Sequence, residues 1–391
     1  MIPAPRGSSR KGYLDWLRGA AVVLMIQGHT VDSWTRLSDK SHMVYGWIFM
    51  AWGIAAPLFL FLAGVSQALA AGARIRQGRT AAEAAALARR RGWQIFGLAF
   101  LFRLQAWLIS GGDAYRTLFK VDILNVMGLA MLAGAVLWGL GRGPASRAWL
   151  LGGGAALVAM ATPLVRAMTG LAWLPEPIEW YFRPFAGGTG FTLLPWAGFL
   201  LAGGAVGLAI DSAREPAAER VLNVSLALGG TAVAFCGYVA SFLSPIYART
   251  DFWTSSPTFF FIRLGILITL LPIAFAINPR LRYLRSTLQD FGRSSLFVYW
   301  IHVEMAYGVI SGPLHHRLPL ASAITGWVLL TLLLFGLVKL KERLGRLERH
   351  HVSHFGNQGA AQHLARALVA PFVVDKEKIA QGTVNEIKPQ V

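Results

Sequence analysis

Charge is scarce in this chain: 14% of its 391 residues are Asp, Glu, Lys or Arg, where a soluble protein carries about a quarter. Acidic residues are the scarcer kind, 19 against 37 Lys plus Arg, for a formal charge of +18. A basic excess indicates nucleic acid when it forms a face interleaved with stacking aromatics. Here the basic residues fall between apolar blocks, so no nucleic-acid partner is expected. One cysteine, Cys236, rules out an internal disulfide and a thiolate metal cage. No glycine-rich phosphate loop is present, and the many glycines fit the close packing of membrane helices. No internal repeat stands out.

What the chain has in abundance is apolar sequence. Hydrophobic residues make up 55%, the mean hydropathy is +0.49, and the apolar residues come in blocks of about 20, the length that spans a bilayer core as a helix. Ten such blocks can be marked, at Tyr13–Trp34, Trp47–Ala71, Gly92–Ser110, Val121–Leu140, Trp149–Met168, Phe191–Ile210, Val221–Leu243, Thr258–Ile277, Phe291–Ser311 and Leu320–Leu340. The first block carries Asp15, Arg18, His29 and Asp32 and offers no cleavage site, so it is expected as a retained helix rather than a signal peptide. The expected fold is all-α, a polytopic transmembrane helix bundle of about ten spans. Residues 1–12 form a leading segment, 13–340 the membrane domain and 341–391 a basic tail, with Lys341–His354 helical in pattern and suited to the membrane surface.

Loop charge sets the orientation. With the N-terminus in the cytoplasm, Arg74, Arg76, Arg79, Arg89–Arg91, Arg142, Arg147, Arg214, Arg220, Arg280, Arg282, Arg285 and the basic residues after Leu340 share that side. The opposite loops hold the sparser set Arg36, Lys40, Arg116, Lys120, Arg183, Arg249 and Arg317. This positive-inside bias predicts both termini in the cytoplasm. The outer loop Gly170–Gly190, rich in Trp, Tyr and Pro, reads as interfacial anchors or as a cover over a cavity.

The first block holds the chemistry. Four ionisable residues in one span are costly to insert and mark a functional site. At about 100° per residue, Asp15, Arg18, His29 and Asp32 fall on one stripe roughly 100° wide, with Arg18 and His29 about 20° from alignment and roughly 16 Å apart along the axis. Asp15 and Arg18 also read as a simple i, i+3 cap pair. Asp32, one turn beyond His29, is placed to orient its ring as in a base–orienter pair, or to meet the outer water.

The Arg18-x10-His29 spacing, on a helix opening Leu-Asp-Trp-Leu-Arg-Gly, resembles the membrane acyltransferase superfamily, which includes the acyltransferase-3 proteins and the heparan-α-glucosaminide N-acetyltransferase group. The resemblance is closest to bacterial members of the latter. Ala56–Ser66 (Ala-Pro-Leu-Phe-Leu-Phe-Leu-Ala-Gly-Val-Ser), Asp122-Ile-Leu-Asn125, Leu194-Pro-Trp-Ala-Gly198 and Gly292–His302 are similar to its later segments. The resemblance covers roughly Tyr13 to Leu340. It implies transfer of an acyl group, commonly acetyl, from cytosolic acyl-coenzyme A to a sugar or glycan across the membrane, in a bacterial cytoplasmic membrane. Acetyl-coenzyme A is then the donor co-substrate, membrane lipid the surroundings, and no metal is expected; the oligomeric state stays open. Arg18 and His29 match the essential Arg and His of the acyltransferase-3 motif. In the glucosaminide acetyltransferases the position of His29 is Asn, and the active His follows before the second helix, where this sequence has His42. Both histidines are therefore candidate bases, with His29 preferred.

Chemistry suits such a role, since an attacking amine or hydroxyl must lose a proton and His has the side-chain pKa nearest neutrality. Arg18 at the cytoplasmic mouth is placed to meet a phosphate of coenzyme A; Arg74–Arg91 add to that attraction or serve as plain topology signals. Asp122 and Asn125 read as acceptor-binding groups or as a helix cap. Arg103 and Arg263 are membrane-embedded cations that need partners. Ser295, Tyr299 and His302 share one helix face, and His302 reads as support for the His29 site or as a satisfied core histidine; Glu304 points elsewhere. His350, His351 and His354 lack acidic company and read as surface residues. The rival reading is a transporter for a small polar or anionic solute, in which the buried charges bind substrate or relay protons.

Overall fold

A computed structural model describes residues 11–109, 115–184, 190–277 and 282–354. The expectations for residues 1–10 and for 355–391 lie outside these, as do those for the side chains of Arg282, Arg285, His350, His351 and His354. Thirteen helices follow in order among the described residues: α1 Gly12–Trp34, α2 Met43–Trp52, α3 Ala55–Arg76, α4 Ala81–Ile109, α5 Ile123–Leu140, α6 Pro144–Ala167, α7 Glu176–Glu179, α8 Leu193–Ser212, α9 Pro216–Ala240, α10 Pro257–Ile277, α11 Arg282–Arg293, α12 Ser295–Tyr307 and α13 Leu320–His354. The sheet content of the described residues is an isolated parallel bridge between Thr35 and Leu318. The chain is an all-α polytopic bundle, as expected.

Prolines just ahead of three expected spans set where the helices begin. Pro144, Pro216 and Pro257 open α6, α9 and α10, the position where a missing N–H costs nothing and the fixed φ suits a helix. Among the described residues, eight helices are long and apolar enough to cross a membrane, and they cover eight of the ten expected spans. The other two expected spans differ for stated reasons. α1 has the length, 23 residues, but its ionisable stripe lowers its apolarity. The ninth, expected at Phe291–Ser311, starts at the end of α11, bends at Ser294 (φ −104°, ψ 18°) and yields the 13-residue α12, too short to cross alone. Together α11 and α12 run the bundle's depth beside α1, which packs against both.

Exposure is inverted relative to a soluble protein. Val221, Val224, Leu228 and Phe235 of α9, Trp93, Leu101 and Leu108 of α4, and Leu329 and Leu332 of α13 face outward, as lipid-facing side chains do. Polar groups turn inward instead. Glycines let backbones touch: a Cβ on Gly64 would collide with the Leu200 carbonyl and one on Gly203 with the Phe61 carbonyl, joining α3 to α8. Gly19 and Gly292 do the same against the carbonyls of Leu288 and Asp15, joining α1 to α11.

Ion pairs show which helix ends lie together. Lys11 meets Glu219 at 2.7 Å, Arg76 meets Asp211 at 2.8 Å, and Lys339 meets Asp290 at 2.5 Å, gathering the start of α1, the ends of α3 and α8, the start of α9 and the middle of α13 at one basic end. At the opposite, charge-poor end, the loop before α13 is laced to the end of α1 by His316 N–H to Ser33 O, Leu318 N–H to Trp34 O and Arg36 N–H to Leu318 O, each 2.9 Å. α13 then runs unbroken through position 340, so the expected boundary between membrane domain and tail lies inside one helix.

Candidate active site

α1 places the site because its polar stripe faces other helices. At its basic end, Arg18 donates to Asp15 Oδ1 at 3.0 Å and to Ser66 Oγ of α3 at 2.6 Å. Asp15 is buried and also faces Arg293 of α11 at 3.7 Å. The i, i+3 pair is thus real, but it is tied into two other helices and is more than a solvated cap.

Three turns on, His29 stands half-buried among rings. Its Nδ1 is 2.9 Å from Nε2 of His302 on α12, with the imidazole planes 4° apart. Trp52 at the end of α2 and Tyr307 at the end of α12 flank it edge-on, at ring centroid distances of 5.6 and 5.3 Å. Trp52 gets this close because Gly28, the neighbour of His29, has no side chain: any Cβ there would lie inside the indole. His302 is wholly buried and its Nδ1 lies 2.8 Å from the Val298 carbonyl one turn earlier. Ser33 Oγ and Trp34 Nε1 both donate to the Ala306 carbonyl, at 2.7 and 3.1 Å, and so fix α12 against α1 just beyond the histidines.

A second polar group adjoins the pair through α12. Tyr299, whose ring is 5.7 Å from that of His302, is within electrostatic reach of Asp122 and Arg103. Asp122 caps α5, accepting from the Leu124 N–H at 2.9 Å, while Asn125 Oδ1 accepts from the Asp122 N–H at 3.0 Å. Arg103 of α4 faces the remaining Asp122 oxygen at 3.3 Å, and its charge also reaches Glu304. Trp300 Nε1 donates to Gln105 Oε1, holding α12 to α4. The cap reading of Asp122 and Asn125 is therefore realised, and Arg103 has its partner. Arg263 is held differently: its guanidinium stacks on Phe259, 4.0 Å from the ring centre, and among the described residues no carboxylate pairs with it.

The other two candidates named with the base, Asp32 and His42, stand apart from the histidine pair. Asp32 does not orient His29. Its carboxylate lies one turn outward, where it accepts from Lys40 Nζ at 2.7 Å and Tyr45 Oη at 2.8 Å, with Tyr307 also in reach. His42 does not join the cluster either. It is exposed at the start of α2, and its Nδ1 accepts from the Val44 N–H at 3.2 Å. Its position caps a helix.

Along the stripe between Arg18 and His29, the side chains are packed. Ala21, Val22 and Ile26 are 0% exposed and Met25 6%, and they join the two main apolar clusters. An open groove between guanidinium and imidazole, which the stripe suggests, is closed here by apolar side chains. Among the described residues no group of three or more His, Cys, Asp or Glu is arranged to hold a metal ion. Trp52, Tyr307, Tyr45, Lys40 and Ser66 were not marked by sequence reasoning. Aromatics are common in every span, and nothing local distinguishes these; Ser66 lies in a motif whose contribution to the Arg18 site shows only when α3 meets α1.

Comparison with known families matches residues 10–237, the stretch that carries α1 to α8 and most of α9, to the catalytic region of heparan-alpha-glucosaminide N-acetyltransferase. No individually curated protein matches the chain. The match spans more than half of the chain, includes Arg18, His29, Arg103, Asp122 and Asn125, and accords with the apolar helices around them: the chain belongs to the heparan-alpha-glucosaminide N-acetyltransferase catalytic family of membrane acetyltransferases.

Proposed function

We propose that this protein moves an acetyl group from cytosolic acetyl-coenzyme A to an amine or hydroxyl of a sugar or glycan at the charge-poor face, in a bacterial cytoplasmic membrane whose inner side is the basic end. The observation that carries the reading is the half-buried imidazole of His29, set among aromatic rings on a helix whose polar stripe turns inward. Arg18, bonded to Asp15 and Ser66, is held where a phosphate of the donor would arrive from the cytoplasm. Tyr299, beside His302, and the Arg103–Asp122 pair within its electrostatic reach border the acceptor side in this reading.

The reaction balances within these parts. The acceptor's lone pair attacks the thioester carbonyl, forming the new C–N or C–O bond. His29 takes the proton that the attacking atom loses. The C–S bond then breaks, and the proton returns from His29 to the departing thiolate, so that free coenzyme A leaves and the base is restored. Rings of Trp52 and Tyr307 limit water around the imidazole, which disfavours hydrolysis of the donor.

Purified protein given labelled acetyl-coenzyme A and an amino sugar tests this directly. Coenzyme A release that depends on the acceptor is the expected result, with His29→Ala lowering the rate about 10²- to 10⁴-fold, the usual worth of a general base. Solute movement with the thioester left intact would instead mark a transporter.

A further inference from the structure

One side of each hydrogen bond at the histidine pair is fixed by elementary chemistry. The Val298 carbonyl can only accept, so the His302 Nδ1 that faces it at 2.8 Å carries a hydrogen. His302 is 0% exposed, and its partners are the Val298 carbonyl, the Tyr299 backbone and another imidazole, with no carboxylate bonded to it among the described residues. A charged ring there would be desolvated without compensation, so His302 is neutral and its Nε2 holds a lone pair. That lone pair lies 2.9 Å from His29 Nδ1, which is therefore the donor. His29, with its hydrogen on Nδ1, is left with a bare Nε2.

We infer that His302 is a positioning residue that selects this tautomer of His29, making Nε2 the atom that receives the acceptor's proton. The inference rests on the reading of His29 as the base. A chain of backbone carbonyl, imidazole and imidazole thus stands where many hydrolases place a carboxylate behind the catalytic histidine. It has a second effect during turnover. When the acceptor's N–H or O–H bond breaks and its proton passes to Nε2, His29 becomes an imidazolium. Its Nδ1–H then donates to His302 Nε2 as a charge-assisted hydrogen bond, stronger than the neutral one it replaces. Charge that forms during the attack is therefore met by a lone pair already in place, in a spot that no anion touches directly.

Nitrogen-15 NMR of the full chain labelled at histidine, with the His29 signals identified by their loss in His29→Gln, reads the tautomer. The expected wild-type spectrum shows His29 protonated at Nδ1 and bare at Nε2. His302→Gln keeps an acceptor near the place of Nε2; it should retain that spectrum and stay within about 10-fold of the wild-type rate. His302→Leu removes the acceptor; it should give a mixture of tautomers and about a 10²-fold fall in kcat, a share of the usual general-base contribution, with KM for both substrates little changed. A wild-type His29 protonated at Nε2 overturns the inference, as does a His302→Leu protein with an unaltered spectrum. If His302→Leu does not fold, the wild-type and His302→Gln spectra decide alone. Failure of the wild type to release coenzyme A defeats the acetyl-transfer reading and not the tautomer, which the spectrum judges separately.

Discussion

At the scale of single residues, the missing side chain of Gly28 is as consequential as the imidazole beside it. Trp52 rests on α1 at that point and presents its edge to His29. Gly28→Ala pushes the indole away: the expected cost is about 1–3 kcal/mol of stability, as for other overpacked sites, together with a fall in coenzyme A release larger than the stability loss explains. Equal rates in Gly28→Ala and wild type would show that Trp52 has no part in shaping the site. Arg18→Ala should raise KM for acetyl-coenzyme A about tenfold or more and leave kcat closer to wild type, as loss of a remote binding contact does. Sequence phase alone placed Arg18 and His29 on one inward stripe, because helical geometry is local and arithmetic. It could not show that Asp32 turns to Lys40 and Tyr45, or that the partner of His29 lies 273 positions away. Those facts depend on how separate helices meet.

At the scale of elements, the crossing of α1 with α11 and α12 is what assembles the site. Gly19 and Gly292 let the backbones of α1 and α11 touch, and the break at Ser294 then redirects α12 so that His302 reaches His29. Gly19→Val, distant from the histidines, should therefore lower both thermal stability and activity, while Gly97→Val, at a glycine with open space around it, should change neither beyond about 0.5 kcal/mol. The alternation of apolar blocks made nearly every helix legible beforehand; the split of the ninth span was not, since Gly292-Arg-Ser-Ser reads equally as the start of a helix or as a bend within one. The link before α13 has its own dependence on pH. Asp39 Oδ2 accepts the Leu320 N–H at 3.0 Å, and its hydrogen bond with Arg36, followed by that backbone contact, holds the Asp39 carboxyl below the usual Asp range. A depressed pKa means that this contribution is present at neutral and mildly acid pH and disappears only as pH falls through the lowered value. Protection of the Leu320 amide, measured against its intrinsic exchange rate at each pH, should hold down to that point and fall below it, and Asp39→Ala should remove the dependence.

At the scale of the whole molecule, inward polarity and outward apolar surface define a body made for lipid, and the gathered ion pairs at the basic end give it a direction. In a Cys236→Ser background, a cysteine in place of Lys40 should react with an impermeant maleimide in intact cells, and one in place of Arg79 only after the membrane is opened. The opposite pattern would reverse the orientation and with it the side from which the donor arrives. Composition made the membrane-spanning body readable from the start, because a bilayer imposes length and apolarity on every span. The middle of α1 was not readable in the same way, since Ala21, Val22, Met25 and Ile26 look alike whether they line water or touch neighbours. Packed as they are, they act as electrical insulation. A standing column of water linking the guanidinium to the imidazole would also conduct protons and drain the gradient that the membrane exists to hold. With this stretch packed, apolar side chains rather than an open channel separate the guanidinium from the imidazole.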